Sequence, residues 1–250
     1  MSEGAKVLTI PGGPVMISAD VHGNLEDFQR LRDLFLANEG VTWISVGDWV
    51  HGPTASKHPI YDEQGIPLYA YPDDTPALLA AYFALMDRFP GRVLSLCGNH
   101  EHAHIGGMRT SKFHRDEPSH LESQLTPLQV DELRRRFASW PMIIRIADAG
   151  IVVTHGAPHP GTVAAYQRIR YAGDNDPDSA RLLLAAMTRY GFDDGEDVEV
   201  IAKLSEDAPY HLLVHGHDRE ELGYCANGEA ALLLCTSFGA RRAYKTYLWL

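Results

Sequence analysis

Five short stretches of this chain put side chains able to bind metal next to glycine. They are Asp20-Val21-His22-Gly23, Gly47-Asp48-Trp49-Val50-His51-Gly52, Gly98-Asn99-His100-Glu101, Thr154-His155-Gly156 and His215-Gly216-His217-Asp218. Carboxylate oxygen, imidazole nitrogen and one amide oxygen, with no thiolate among them, suit harder or borderline divalent ions such as manganese, iron or zinc. A carboxylate can bridge two such cations, and two ions ~3.5–4 Å apart make the clamp that in-line phosphoryl chemistry uses. Several acids and imidazoles buried together without a common partner would be costly, which favours a shared ligand. No Gly-x-x-x-x-Gly-Lys-Ser/Thr loop is present to cradle phosphate, so a phosphoryl group would be held mainly through metal. On this reading Asn99 offers its amide oxygen to a cation, and His100 is left free for the substrate.

Each stretch follows an apolar run, which is what positions it. Runs at 14–19, 42–47, 92–97, 150–154, 210–215, 230–236 and 243–249 read as strands, several of them apolar on nearly every residue, as strands covered on both faces are. Helices are expected over 25–37 behind an Asn24 cap, over 75–88 with Thr75 as the cap and Pro76 in the first turn, and from Pro127 to Phe137 behind a Thr126–Gln129 capping box. A further helix is expected over 178–190. Alternating strands and helices followed by late strands indicate an α/β sheet protein with an antiparallel portion. Ligands of such sheets bind beyond the carboxyl ends of the strands, where the five stretches fall. Two long stretches, 52–74 and 101–124, each begin at such an end and read as functional loops.

The ordered set Asp20-x-His22, Gly47-Asp48, Gly98-Asn99-His100-Glu101, His155-Gly156 and Gly216-His217 resembles the calcineurin-like metallophosphoesterases. It looks nearest to the branch of serine/threonine protein phosphatases and diadenosine tetraphosphatases, and the run "FASWPMIIRIADAGIVVTHGAP" is similar to that branch as well. The resemblance implies a four-layer α/β/β/α sandwich. It implies that Asp20 and His22 bind one metal, Asn99, His155 and His217 the other, and that Asp48 bridges them. It further implies in-line attack by a hydroxide shared between the metals, with His100 as general acid; imidazole is the side chain whose pKa suits that proton transfer.

The pattern also departs from the branch. Its second motif reads Gly-Asp-x-x-Asp-Arg-Gly, whereas here His51 and Gly52 stand where the second Asp and the Arg would be. In the family that Asp orients the general acid; here His51 or Glu101 is the candidate to do so. The Arg would grip phosphate as a planar clamp, and Arg109, Arg168 and Arg170 are the candidates to replace it. His215 precedes His217 by two residues and is read as supporting the ligands rather than joining them. His102 and His104 share a parity with His100, which an extended loop would set on one side; with His114 and His120 they read as polar loop residues. Tyr61, Tyr69 and Tyr71 read as packing for the first loop.

Composition narrows the remaining classes. With 22 Lys and Arg against 33 Asp and Glu, the formal net charge is −11, which argues against non-specific nucleic-acid binding. The basic run Arg134-Arg135-Arg136 reads as a solvated helix face. Three cysteines without zinc-ribbon spacing fit free thiols in a reducing compartment. No secretory signal or membrane span is visible, so the expectation is a cytoplasmic protein of one domain over residues 1–250. The function expected is a phosphoesterase with two divalent metals, manganese first, acting on a phosphomonoester or phosphoanhydride. A phosphodiesterase and a non-catalytic metal-binding scaffold are the alternatives.

Overall fold

The structure, a computed structural model, describes residues 6–53, 61, 64–65, 68–168, 177–205 and 209–250. The chain opens with β1 (Val7–Ile10) and β2 (Val15–Ser18), then α1 (Leu25–Ala37), β3 (Thr42–Ser45), α2 (Thr75–Arg88) and β4 (Val93–Ser95). Two short helices, α3 (Asn99–His102) and α4 (Glu117–Glu122), lead to α5 (Pro127–Ser139). An antiparallel pair follows, β5 (Ile143–Ile146) and β6 (Ile151–Thr154), then α6 (Val163–Arg168), α7 (Pro177–Met187) and α8 (Glu196–Leu204). The last elements are β7 (Leu212–His215), β8 (Tyr224–Ala226), β9 (Ala231–Leu234) and β10 (Leu248–Trp249).

The strands form two sheets, of order β1-β5-β6-β7-β9-β8 and β10-β2-β3-β4. Strand periodicity sorts the core into layers. Val15, Ile17, Ile44, Val46 and Leu96 of the smaller sheet meet Ile144, Ile146, Ile151, Val153 and Val214 of the larger one. Their alternates point outward: Met16, Trp43 and Val93 lie with Phe28, Leu31 and Phe35 of α1 and with Leu78 and Tyr82 of α2. On the other side Ile143, Val152 and Leu213 join the same cluster as Leu183, Val200, Ile201 and Leu204 of α7 and α8. This is the expected helix–sheet–sheet–helix order. It explains why β2, β5 and β6 are buried along their whole length.

Local signals hold in most places. Asn24 caps α1 by accepting the Asp27 N–H at 3.1 Å. Thr126 and Gln129 form the capping box of α5, with the Thr126 N–H donating to Gln129 Oε1 at 2.9 Å. Thr75 is not the cap of α2: Asp74 holds that position, and Thr75 is already helical, donating its hydroxyl to Asp73. The strand expected over 243–249 is confined to Leu248–Trp249, and the helix expected over 178–190 runs from Pro177 to Met187. The polar stretch 101–124 contains α3 and α4. Part of the first loop lies outside the described residues, but Tyr69 is buried and stacks on Phe238 with ring centroids 5.3 Å apart. Cys97, Cys225 and Cys235 are free thiols. No helix among the described residues is long and apolar enough to cross a membrane.

The layering positions the site. β2, β3 and β4 run parallel, as do β6, β7 and β9, so their carboxyl ends and following loops collect at one edge of the sandwich. If the sheet–sheet contact holds those ends together, Ile44→Ala at its fully buried centre should cost about 2–4 kcal/mol. Urea denaturation should then show a lower midpoint with an unchanged slope.

Candidate metal centre

Asp20 and His22 follow β2, Asp48 follows β3, Asn99 and His100 open α3 after β4, His155 follows β6 and His217 follows β7. These loops are strained in a concentrated way. Among the described residues the non-glycines with positive φ are Asp20, His22, Asp48, His51 and His217, at +31°, +45°, +53°, +64° and +67°. Such backbone costs on the order of 1–3 kcal/mol per residue and persists only where its surroundings over-determine it. Here all five are residues of the motifs read from the sequence.

Glu101 supplies much of that determination. Fully buried, it accepts backbone N–H groups from Asp48 (2.8 Å), Trp49 (2.8 Å) and, more loosely, Val50 (3.4 Å), as well as from Gly98 (3.0 Å). Burial and the Asp48 charge push its pKa up to about 7, and the backbone donors oppose that rise. Trp49 secures the next residue by donating its indole N–H to Ser95 Oγ at 3.0 Å and stacking on Tyr82. The two loops touch so closely that a Cβ on Gly98 would lie 2.3 Å from Asp48 Oδ1, which only glycine permits. The first loop leans on the same support, since the Val21 and His22 N–H groups donate to the Asp48 carbonyl at 3.0 and 2.9 Å.

Asp48 is thereby aimed into the cluster. Its Oδ1 accepts the His100 N–H at 3.1 Å. Its Oδ2 is buried without a hydrogen-bond partner, 3.5 Å from His22 Nε2 and 3.4 Å from His155 Nε2. The imidazoles are oriented from behind: His22 Nδ1 lies 3.1 Å from the Val50 carbonyl and His155 Nδ1 lies 2.8 Å from the Val46 carbonyl. Carbonyls only accept, so both rings carry their proton there and turn Nε2 inward, the arrangement of metal-binding histidines. Asn99 Oδ1 lies 3.0 Å from His155 Nε2. Asp20 Oδ2 takes the His217 N–H at 2.9 Å, whereas its Oδ1 and both ring nitrogens of His217 are buried without partners.

This donor set fits divalent cations. His22, Asp48 and His100 bring three ligand atoms within 4.8 Å of one another, and Asp48, His155 and His217 do the same. Without a cation, the field of the site gathers protons. Burial, joined by the Asp48 charge, pushes Asp20 up to about 7. Burial alone would lower His155, but Asp48, Asp20 and Glu101 together raise it to about 9. Burial first, then the nearby cations, hold His22 and His217 down at about 3, so both are neutral with a lone pair to give.

The other sequence candidates divide. His51 reaches His100, their Nδ1 atoms 2.8 Å apart, whereas Glu101 serves the backbone and not His100. His104 touches His51 through Nε2 at 2.9 Å. The parity argument fails because the segment is not extended: α3 ends at His102 and a turn follows, and His100 and His104, four residues apart, both reach His51. His215 is buried edge-on against Phe192 and is not among the clustered ligand groups of the described residues. Arg109 is no free clamp, because it donates to both Asp116 oxygens and to Ser119 Oγ at 2.7–2.8 Å. The side chains of Arg168 and Arg170 lie outside what the structure describes. His114 and His120 stack on each other, 4.2 Å between centroids.

Three contributors were not read from the sequence. The β9 loop supports the first motif: Thr236 Oγ1 accepts the Ala19 N–H at 2.7 Å, and the Phe238 N–H donates to the Asp20 carbonyl at 3.0 Å. Phe238 also packs edge-on against His22. Lys112 keeps an exposed side chain but leans its ammonium over Phe238, 3.8 Å from the ring centroid. Burial of that ammonium lowers its pKa, and Asp48 and Asp20 pull the other way. Glu117, at the start of α4, buries a carboxylate beside His51 and His100. None of these is an Asp, Asn or His beside a glycine at a strand end, the pattern that marks the five motifs.

No family model and no curated protein matches the sequence. Solved structures do match in fold. A protein serine/threonine phosphatase from Saccharomyces cerevisiae superposes with a TM-score of 0.60 at 12% identity, over 92% of this chain and 71% of that one. A cold-active protein-tyrosine phosphatase of a psychrophilic Shewanella gives 0.58 at 16%, over 92% and 72%. A protein assigned as a diadenosine tetraphosphatase gives 0.50 at 19%, over 98% and 97%. The chain shares the fold of these structures, an α/β/β/α sandwich.

Two outcomes follow from this geometry. A cation must displace the protons that Asp20 and His155 hold, so manganese affinity should climb as pH rises through about 7 and level off above about 9, with protons released on binding. Titration against a chelating dye at stepped pH reads this directly. Glu101→Gln sets an amide against backbone donors; it should lower stability by about 2–3 kcal/mol and weaken metal binding by loosening the Asp48 loop.

Proposed function

We propose that this chain is a metal-dependent phosphoesterase with a dinuclear centre, hydrolysing a phosphomonoester or phosphoanhydride. One observation carries the reading: Asp48 Oδ2, buried and without a hydrogen-bond partner, stands between the inward-turned Nε2 atoms of His22 and His155. Asp20 and His22 are assigned to one cation, Asn99, His155 and His217 to the other, and Asp48 to both. Manganese is the first candidate, and iron and zinc accept the same donors. When bound, the pair supplies Lewis-acid stabilisation of phosphoryl charge and an acidified water. That the three similar structures carry phosphatase names adds support.

The chain's own residues do the rest. His100 turns Nε2 toward the centre, 3.9 Å from Asp48 Oδ2, and is assigned the role of protonating the leaving oxygen. Its backbone N–H is tied to Asp48 Oδ1, so the acid and the bridging carboxylate move as one unit. Lys112 is assigned the cationic role that Arg109 does not fill: its charge acts on Asp20, His22, His100 and His217. Gly52 cannot regain a side chain on this backbone, because a Cβ there would lie 2.7 Å from the His22 carbonyl and 2.8 Å from Asp73 Oδ1.

The deciding experiment compares p-nitrophenyl phosphate with bis-p-nitrophenyl phosphate on protein stripped of metal and reloaded with manganese. The monoester should be preferred, since Lys112 answers its second negative charge. Preference for the diester would shift the assignment to a phosphodiesterase, and silence on both with manganese bound would leave a metal-binding scaffold. His100→Asn should keep both cations while lowering kcat by about 10²–10⁴, the usual range for general acid catalysis. Lys112→Ala should lower kcat/KM for the monoester about 10- to 100-fold, as loss of a hydrogen bond to a charged group does.

A further inference from the structure

His51, His100 and Glu117 are each no more than 3% exposed, yet the two imidazoles leave the Glu117 carboxylate unsatisfied. The two Nδ1 atoms lie 2.8 Å apart, within hydrogen-bond reach, and Glu117 Oε2 lies 3.7 Å from that of His51 and 3.6 Å from that of His100. The two Glu117 separations exceed a hydrogen bond, and its Oε2 is buried without a hydrogen-bond partner. Its other oxygen is held by the Phe113 N–H, so the carboxylate is fixed in place.

The proton positions around this pocket follow from an acceptor at the far end. Glu122, paired with Arg134, can only accept, so His104 donates to it from Nδ1 at 2.8 Å. Burial lowers the pKa of both His104 and His51. The bare Nε2 of His104 then accepts a hydrogen bond from His51 Nε2–H at 2.9 Å, which leaves His51 Nδ1 with a lone pair aimed at the pocket. A lone pair, a carboxylate oxygen and a second imidazole nitrogen thus converge on one point.

We infer that this pocket binds a third divalent cation, of the zinc class, through His51 Nδ1, His100 Nδ1 and Glu117 Oε2. A triangle with the three observed sides has its centre about 2.0 Å from every corner, the length of zinc bonds to imidazole and carboxylate. The three groups also form a compact ligand set, distinct from the two that contain Asp48. The ligands are backed as metal ligands are: His51 by His104 and Glu122, Glu117 by the Phe113 N–H. Thr110 Oγ1, 3.3 Å from His51 Nδ1, borders the open side.

The cation has a consequence for His100. In its absence the 2.8 Å contact requires His100 to donate from Nδ1 to the His51 lone pair, which leaves a neutral His100 bare at Nε2. Bound at Nδ1, the cation displaces that proton to solvent while Nε2 takes one up from solvent, so the neutral ring still carries one proton, now turned toward the Asp48 centre, with no net release. This consequence rests on the general-acid role proposed above; the cation site itself does not.

The test is zinc-edge anomalous diffraction from crystals of the full chain, stripped and reloaded with zinc. Metal content of the desalted protein is measured in parallel for wild type, Glu117→Gln and Asp48→Asn. A peak within about 2.2 Å of the three atoms is expected. Glu117→Gln, which keeps the acceptor for Phe113, should lose one equivalent and that peak alone, while Asp48→Asn should keep it. Zinc at Asp48 with no density between His51, His100 and Glu117 overturns the inference, as does a Glu117→Gln protein with undiminished zinc. A third-site peak with none at Asp48 would support this site and overturn the dinuclear reading instead.

Discussion

The grip of the Glu101 carboxylate on the backbone of two loops is the constraint from which the rest of the site follows. Left to its own preferences, Asp48 would not hold a φ of +53°. Glu101 makes that conformation profitable by accepting N–H groups from Asp48, Trp49 and Gly98 in a place without water. With the backbone so held, Asp48 Oδ1 takes the His100 N–H, Oδ2 is left bare, and the Asp48 carbonyl receives the loop carrying His22. The loops after β2, β3 and β4 therefore form one hydrogen-bonded body. The larger sheet adds His155, whose Nδ1 reaches across to the Val46 carbonyl.

How much was legible follows from how local each signal is. The motif residues were readable because side chains able to bind metal, set beside glycine at strand ends, are visible within four or five letters. The covered strands were readable from continuous apolar runs. The strands β1, β5 and β8 were not. β1 is an edge strand of three half-buried residues and an exposed Thr9, β5 carries Arg145 among its isoleucines, and β8 exposes Tyr224 and Ala226. Each is completed by pairing with a distant partner, which composition does not encode. Helix α8 was missed for a similar reason: its run Val198-Glu199-Val200-Ile201 alternates like a strand before packing fixes it as a helix that buries Val200, Ile201 and Leu204.

Roles that depend on non-local contact were the hardest to read. Glu101 looked like a partner for His100 because it is the next residue, but helical geometry turns neighbours apart, and His104, in the turn after α3, reaches His51 instead. Glu117 lies 66 residues beyond His51 in sequence, and its approach is visible only once α4 is docked.

The unusual second motif then has a physical account. Relative to the Asp-Arg pair of the family it resembles, His51-Gly52 removes one negative and one positive charge together. The local charge balance is kept, but the anion beside His100 and the cation for phosphate are both gone from that loop. Asp73, which accepts the Thr75 N–H at the start of α2, occupies the space in which an Arg at position 52 would begin. The stretch from Lys112 to the first residue of α4 returns both charges, as Lys112 over Phe238 and Glu117 beside His100 and His51. The exchange is not symmetrical. A neutral imidazole now contacts His100 where a carboxylate would have, and the carboxylate stands 3.6 Å off, too far to accept its proton directly. Under the function proposed above, orientation of the acid and recognition of phosphoryl charge would both depend on the stretch from Lys112 to Glu117, so changes there would alter both together.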